Sequence, residues 1–190
     1  MHDQPSRGSS VAIVGAGSIG VSWAITFIIA GASVRLHDTS KKRLTVARQE
    51  ISERLADLKF YSLVDEPPEQ VFSRLSTETS LEAAISGAEH IQECIPEILA
   101  QKREMFSKLA DCAPRDVIIA SSSSFMPAST FANNVKHRDR CLVIHPGNPS
   151  YLLRIVEIVP APFTSKSTID QSTALMEKLR LETVVVRKEI

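Results

Sequence analysis

The feature that most constrains the fold is a glycine-rich turn where a short apolar strand meets an apolar helix. Residues 11–14 (VAIV) predict the strand, and residues 18–30 predict a helix that ends at Gly31. The junction has the pattern G-x-G-x-x-G, formed by Gly15, Ala16, Gly17, Ser18, Ile19 and Gly20. The first glycine permits the tight turn, the second lets the backbone approach a pyrophosphate, and the third lets helix and strand pack closely. Free N–H groups at the helix start attract an anion. The sequence therefore predicts a dinucleotide-binding βα unit.

A carboxylate stands at the end of the next predicted strand. Asp38 follows the strand 33–37 and lies eighteen residues after Gly20. A carboxylate there accepts both ribose hydroxyls of NAD and repels the 2′-phosphate of NADP, so we expect NAD as the cofactor. The alternative is a surface aspartate beside an unrelated glycine turn. Three nearby cations either reduce the preference for NAD or only form the solvated start of a helix: Lys41, Lys42 and Arg43.

Strands and helices alternate along the chain, and several of the strands are apolar throughout. That pattern is typical of a mostly parallel sheet with helices on both faces, a Rossmann-type doubly wound α/β fold. We expect residues 1–190 to form one such domain. The predicted strands are 11–14, 33–37, 90–94, 117–120, 142–144, 154–159 and 182–186. The predicted helices are 18–30, 41–60, 69–74, 80–86, 97–111 and 167–179.

Composition excludes several classes of partner. The chain carries 22 basic and 22 acidic residues, which argues against a nucleic acid or an acidic membrane surface as partner. The first eight residues lack the apolar core of a signal peptide, and the longest apolar stretch, 23–32, is too short to span a bilayer. The cysteines form no C-x-x-C pair and no metal-ligand cluster, so we expect no metal and a reducing, cytoplasmic setting. They are Cys94, Cys112 and Cys141.

Two polar features follow predicted strands, where ligands of open α/β sheets bind. One is the serine run 121–124, and the other is His145. Further along, Glu157 interrupts the apolar strand 154–159. A buried carboxylate is tolerated when it is paired, and a histidine is a better base when a carboxylate fixes its tautomer, so each would explain the other. The alternatives are a surface histidine, an edge-strand glutamate that faces water, and serines that only cap the next segment.

Four stretches together resemble the L-3-hydroxyacyl-CoA dehydrogenase family. They are VAIVGAGSIG, HIQECIPEILAQKREMF, IIASSSSFMP and HPGNPSYLLRIVEIV, and the similarity runs over nearly the whole chain. The last stretch and the segment IQECIPE are most similar to the branch that contains lambda-crystallin/L-gulonate 3-dehydrogenase and carnitine 3-dehydrogenase. The central motifs carry this resemblance, because a glycine motif alone is common to many dinucleotide-binding proteins.

The resemblance implies a role for individual residues. His145 matches the catalytic base, Glu157 its acidic partner, and Ser123 a serine that hydrogen-bonds the substrate oxygen. Asn148 matches an asparagine near the nicotinamide, and Asp38 the acid at the ribose. Two more positions match residues that contact the cofactor, although the sequence alone suggests solvated helix positions for both: Glu97 and Lys102.

The same resemblance implies an NAD-dependent enzyme that oxidises the 3-hydroxy group of a small acid or of an acyl-CoA in fatty acid metabolism. Relatives continue into an all-helical domain, absent from residues 1–190, that supplies homodimer contacts and part of the substrate pocket. Arg154 stands where relatives carry proline, either as a surface residue or as a ligand of a substrate carboxylate or phosphate. The alternative to an enzyme is an NAD-binding module or a crystallin-like structural protein without turnover.

If Asp38 binds the adenosine ribose, its replacement must affect the two cofactors differently. We expect Asp38→Ala to weaken NADH binding by about 10- to 100-fold, the effect of losing charge-assisted hydrogen bonds. NADPH binding should weaken much less, because its 2′-phosphate no longer meets a carboxylate. Titration calorimetry with both cofactors measures the two changes. Parallel losses would show that Asp38 does not contact the ribose.

Overall fold

The computed structural model describes residues 8–189, which form a sheet of eight strands with helices on both faces. The strands are β1 Ser10–Val14, β2 Ser33–His37, β3 Leu75–Glu78, β4 His90–Glu93, β5 Ile118–Ser121, β6 Cys141–Pro146, β7 Ile155–Pro160 and β8 Glu182–Val185. The helices are α1 Ser18–Ile29, α2 Lys41–Phe60, α3 Pro68–Phe72, α4 Leu81–Ile85, α5 Leu99–Cys112, α6 Ala128–Phe131 and α7 Lys166–Lys178, with a 3-10 turn at Arg138–Arg140.

The order of the strands across the sheet is β3-β2-β1-β4-β5-β6-β7-β8. All neighbouring pairs are parallel except β6 and β7, which run antiparallel. The chain moves outward from β1 in one direction to β3, then returns to the other side of β1 with β4. The carboxyl ends of β1 and β4 therefore flank the crevice where doubly wound sheets bind ligands. This topology confirms the predicted Rossmann-type fold.

Strand β1 is apolar throughout because both of its faces are covered. Val11 and Ile13 pack on one side with Trp23 and Phe27 of α1, whose rings stack 4.7 Å apart. Ala12 and Val14 point to the opposite face, where the core contains residues of α5 and α6 such as Phe106. Side chains alternate between the faces of a strand, so a strand between two helix layers needs apolar residues at every position.

The elements that the sequence did not predict are short. Strand β3 has one buried apolar residue, Leu75, and pairs only with β2 at the edge of the sheet, so its sequence lacks a strand pattern. Helix α6 has four residues. Helix α5 begins at Leu99, two residues later than expected, and Ile98 is its N-cap. The side chain of Ile98 is 49% exposed and lies outside the core.

Two glycines of the first turn have different structural roles. A Cβ on Gly20 would lie 1.9 Å from the carbonyl oxygen of Gly15, so this glycine is needed for α1 to pack against the turn. A Cβ on Gly17 would meet no atom within 4 Å. Gly20 therefore serves the fold, whereas the chain does not need a glycine at 17 in order to fold.

We expect Gly20→Ala to lower the free energy of unfolding by about 1–3 kcal/mol or more, because backbone must move to accept the methyl group. Gly17→Ala is the matched control and should cost less than about 1 kcal/mol, the usual size of an N-cap effect. Urea denaturation followed by circular dichroism measures both. Equal losses in the two variants would contradict this distinction.

Candidate active site

The glycine turn and Asp38 lie together at the carboxyl ends of β1 and β2. Gly15 has a φ of 106° and makes the turn, and Gly17 is the N-cap of α1 but has no side chain to bond the free N–H groups. A Cβ on Gly17 would meet no atom within 4 Å, so an anion has room to approach this helix start. A cleft of about 300 Å3 continues from Gly15 past Asp38 to Ile95. The crevice fits a dinucleotide with its pyrophosphate at α1 and a ribose at Asp38.

The other residues of the glycine motif divide between the crevice and the core. Ser18 is exposed and lines a second pocket of about 430 Å3 beside Gly17. Ala16 is buried, and Ile19 packs partly buried against the core with Gly20 behind it. Of the six predicted contact residues, Ile19 and Gly20 thus lie on the packing side of the turn.

Backbone hydrogen bonds hold the Asp38 carboxylate against the turn. Its Oδ2 accepts a hydrogen bond from the Ala16 N–H at 3.1 Å, and its Oδ1 accepts one from the Ser40 N–H at 2.9 Å. Each carboxylate oxygen keeps acceptor capacity for a ribose hydroxyl. The carboxylate is therefore oriented before any ligand arrives.

Of the three nearby cations, Arg43 is tied down by the protein itself. Its Nε donates to the Ala16 carbonyl at 2.6 Å, and its Nη1 and Nη2 donate to the two oxygens of Glu50 at 3.0 and 2.9 Å. The hydrogen bonds between Arg43 and Glu50 raise the pKa of Arg43 and lower the pKa of Glu50. Lys41 and Lys42 are exposed at the start of α2. The Arg43 charge is thus already paired with Glu50.

His145 and Glu157 face each other across the one antiparallel pair of the described sheet. They are direct partners in the β6–β7 register, and His145 Nδ1 lies 3.0 Å from Glu157 Oε2. Since a carboxylate only accepts, Nδ1 carries the hydrogen, and in the neutral ring Nε2 keeps a free lone pair. The pair thus has the geometry of a base held by a carboxylate.

The premise that Glu157 is buried is wrong. Val156 and Ile158 of β7 are buried, but the side chain of Glu157 is 54% exposed and that of Ile155 is also exposed. One face of β7 is open in the described part of the chain, so Glu157 needs no partner to offset desolvation. The carboxylate is close to His145 because of the strand register.

The four serines at the end of β5 and after it, 121–124, have four different environments. Ser121 is buried and bonds the Glu93 carboxylate at 2.6 Å. Ser122 accepts hydrogen bonds from the Trp23 indole at 2.9 Å and from the Gln92 side-chain amide at 2.7 Å. Ser123 donates to Glu97 and accepts from the Met126 N–H, whereas Ser124 is exposed. Only two of the four line the pocket that contains His145: Ser123 and Ser124.

Glu97 and Lys102 belong to a polar cluster beneath this loop. Glu97 accepts hydrogen bonds from the Ser123 hydroxyl at 3.1 Å and the Ser124 N–H at 2.9 Å. Lys102 is 1% exposed, so the expectation of a solvated position is wrong for it. Its Nζ lies 3.0 Å from both oxygens of Glu93 and 3.6 Å from Glu97. Burial raises the pKa of Glu93, and the Lys102 charge opposes that rise.

Sequence reasoning did not select Glu93. Strand β4 has the sequence HIQE, and all four residues are buried although only Ile91 is apolar, so nothing in its sequence marks the carboxylate as buried. The lysine that pairs with it lies nine residues away on a helix with many exposed charges, and only the fold shows that this lysine turns inward.

The loop after His145 carries Asn148 and is anchored to α1 by hydroxyl groups. Thr26 donates to the Ser22 carbonyl at 2.9 Å, so the 2.7 Å contact between Thr26 and Ser150 has Ser150 as donor. Ser22 in turn donates to Ser150 at 2.9 Å and accepts from the Ser150 N–H at 2.8 Å. This closed chain fixes the loop, and Asn148 lines the 430 Å3 pocket opposite Gly17.

Arg154 directly precedes β7 and is exposed. It borders a small depression with Thr26 and Leu179 and is not among the described residues that line the His145 pocket. Across residues 8–189, no cluster of three or more histidine, cysteine or acidic residues is placed to hold a metal ion. Within the same range, no helix has the length and apolar character needed to cross a membrane.

Comparison with known proteins found relatives that cover nearly the whole chain. Lambda-crystallin of Oryctolagus cuniculus is 38% identical over 188 residues, covering 98% of this chain and 59% of that protein. L-carnitine dehydrogenase of a Pseudomonas species is 33% identical over 179 residues, covering 94% of this chain and 55% of that protein. The structure of (S)-3-hydroxybutyryl-CoA dehydrogenase from Ralstonia eutropha superimposes with a TM-score of 0.90 at 24% identity, covering 95% of this chain and 64% of that one.

The chain therefore spans less than two thirds of the length of these relatives. Residues 10–190 match the family model described as 3-hydroxyacyl-CoA dehydrogenase, NAD binding domain. The match confirms the resemblance found in the sequence and NAD as the cofactor. A chain with this fold, this crevice and this match belongs to the family of 3-hydroxyacyl-CoA dehydrogenase NAD-binding domains.

Proposed function

We propose that this chain is the cofactor-binding part of an NAD-dependent dehydrogenase that oxidises a 3-hydroxy group β to a carboxyl or thioester carbonyl. The observation that carries the proposal is the 3.0 Å contact between His145 and Glu157 at the carboxyl end of the sheet, on which the cofactor crevice also opens. A dinucleotide module without turnover has no need for an oriented base at that place. The family match supports the same activity.

His145 acts as the general base. NAD held in the crevice would supply the acceptor for the hydride of the carbinol carbon. The free lone pair on Nε2 of His145 takes the hydroxyl proton as the carbon loses its hydride. Glu157 then stabilises the imidazolium through its contact with Nδ1. In the reverse reaction the same imidazolium returns the proton to the keto oxygen, so the pair serves both directions.

Four other residues complete the proposed site. Ser123, at the edge of the His145 pocket, orients the substrate oxygen through its hydroxyl. Asn148, in the loop opposite Gly17, lies at the nicotinamide end of the cofactor. By the resemblance, Glu97 and Lys102 are residues that contact the cofactor. Glu97 bonds Ser123 and Ser124 of the serine loop, and Lys102 bonds Glu93 and Ser121 beneath it.

The substrate is a small 3-hydroxy acid or its CoA thioester. Names of the relatives include both types, L-carnitine dehydrogenase and 3-hydroxybutyryl-CoA dehydrogenase. We propose that residues 1–190 are one NAD-binding domain and that a helical domain outside this chain completes the pocket and forms a homodimer. The three free thiols are consistent with a cytoplasmic enzyme.

A second candidate function is NAD binding without turnover, in the manner of a crystallin. The 38% identity with lambda-crystallin favours it. The two functions differ in one respect that is simple to measure: both bind NADH, but only the enzyme loses an activity when His145 is replaced.

We expect His145→Gln to keep NADH affinity within about threefold and to lower kcat by about 100-fold or more, the usual contribution of a general base. Glutamine preserves the size and a hydrogen bond to Glu157 but cannot take a proton. His137→Asn is the control, because His137 is an exposed histidine with a φ of 52°, a conformation that asparagine tolerates. The assay follows NADH absorbance with the protein at its natural length and a panel of 3-hydroxy acids and their CoA esters. Equal rates in His145→Gln and the parent would exclude His145 as the base.

A further inference from the structure

A buried ion pair lies directly beneath the serine loop. Glu93, at the end of β4, is 0% exposed, and Lys102 of α5 is 1% exposed. Removing both charges from water is unfavourable unless the geometry is good and the remaining donors and acceptors are bonded. Apolar residues of similar volume often give the same stability. Stability alone therefore gives no reason for a charge pair at this place.

The hydrogen bonds of the pair are nearly saturated. The Lys102 ammonium contacts both oxygens of Glu93 at 3.0 Å and the Ser121 hydroxyl at 3.3 Å, which accounts for its three N–H bonds. The Glu93 carboxylate also accepts from the Ser121 hydroxyl and from the Ile95 N–H, each at 2.6 Å. Lys102 has no donor left for a ligand, so any effect that it has on the cofactor or the substrate passes through Glu93 and Ser121.

Ser121 and Ile95, which both bond Glu93, are each linked to Ser123 at the edge of the His145 pocket. The Ser121 hydroxyl oxygen accepts a hydrogen bond from the Ser123 N–H at 3.2 Å. On the other side, Ile95 begins the turn that carries Glu97, and Glu97 accepts from the Ser123 hydroxyl at 3.1 Å. Ser123 is thus held at its backbone by one path from Glu93 and at its side chain by another.

We propose that Glu93 and Ser121 are positioning residues that set the place of Ser123 in the reaction assigned to this site above. The inference rests on the proposed function for its catalytic part. The Lys102 charge keeps Glu93 an acceptor, Glu93 orients the Ser121 hydroxyl, and that hydroxyl fixes the Ser123 backbone. Ser123 then presents its hydroxyl at a constant distance from His145. A serine loop held only by its own turn would lose this alignment.

The experiment compares Ser121→Ala with Ser122→Ala. The two variants make the same change at adjacent residues, but the Ser122 hydroxyl faces Trp23 and has no contact with Ser123. We expect Ser121→Ala to lower kcat/KM about 10-fold, the effect of one lost hydrogen bond, through kcat and not through NADH affinity. Ser122→Ala should keep kcat/KM within about twofold of the parent.

Amide hydrogen exchange measures the positioning independently of turnover. In Ser121→Ala the amides of Ser123 and Ser124 should exchange about 10-fold faster, while those of β1 stay unchanged. In Ser122→Ala the two amides should exchange as in the parent. If Ser121→Ala and Ser122→Ala behave alike in exchange and in kcat/KM, the inference is overturned. If no variant and no parent turns over any 3-hydroxy substrate but the exchange difference is present, the proposed function fails and the positioning of Ser123 stands.

A double variant separates positioning from stability. Lys102→Met leaves a buried, unpaired carboxylate and should unfold at a much lower urea concentration than the parent. Glu93→Leu combined with Lys102→Met removes both charges and should regain most of that loss. We expect kcat/KM of the double variant to stay about 10-fold below that of the parent. Recovery of both stability and kcat/KM would show that the pair has only a structural role.

Discussion

The parallel pairing of β1 with a strand on each side is the constraint on which the remaining structure depends. Because β2 and β4 both run parallel to β1, their polar end residues, Asp38 and Glu93, reach the same edge of the sheet on either side of the glycine turn. Parallel strands need crossover helices, and those helices cover both faces. The apolar sequence of β1 and the location of the crevice are thus consequences of a single pairing.

At the β6–β7 pair the sheet becomes antiparallel, and this pair brings His145 and Glu157 together. Strand β7 returns antiparallel to β6, so its residues meet those of β6 in direct register. A parallel strand would carry a glutamate at the same edge only at its own carboxyl end. The return places the middle of β7 beside the end of β6, and His145 gains a carboxylate from a residue twelve positions later.

Short sequence patterns predicted the structural features that depend only on neighbouring residues. The turn, the helix that follows it and Asp38 were evident because each has its own sequence signature, and β1 and α1 have nearly the predicted bounds. The sequence also indicated that His145 and Glu157 meet, but for a wrong reason, since Glu157 is half exposed. Strand β3 and the inward turn of Lys102 were not predictable, because edge position and burial depend on the packing of distant segments. The burial of Glu93 was not predictable for the same reason.

The closed chain of hydroxyl groups between α1 and the loop after His145 has a consequence for ligand binding. Ser22 and Thr26 of α1 bond the loop that carries Asn148. The walls of the pocket beside Gly17 and Asn148 are therefore held together as one unit. A flexible site loses loop entropy when its ligand binds. Here the loop is already ordered in the folded protein, so binding does not carry that entropic cost. Any closing movement over a substrate would then need a hinge elsewhere in the protein, and this half of the site would not move.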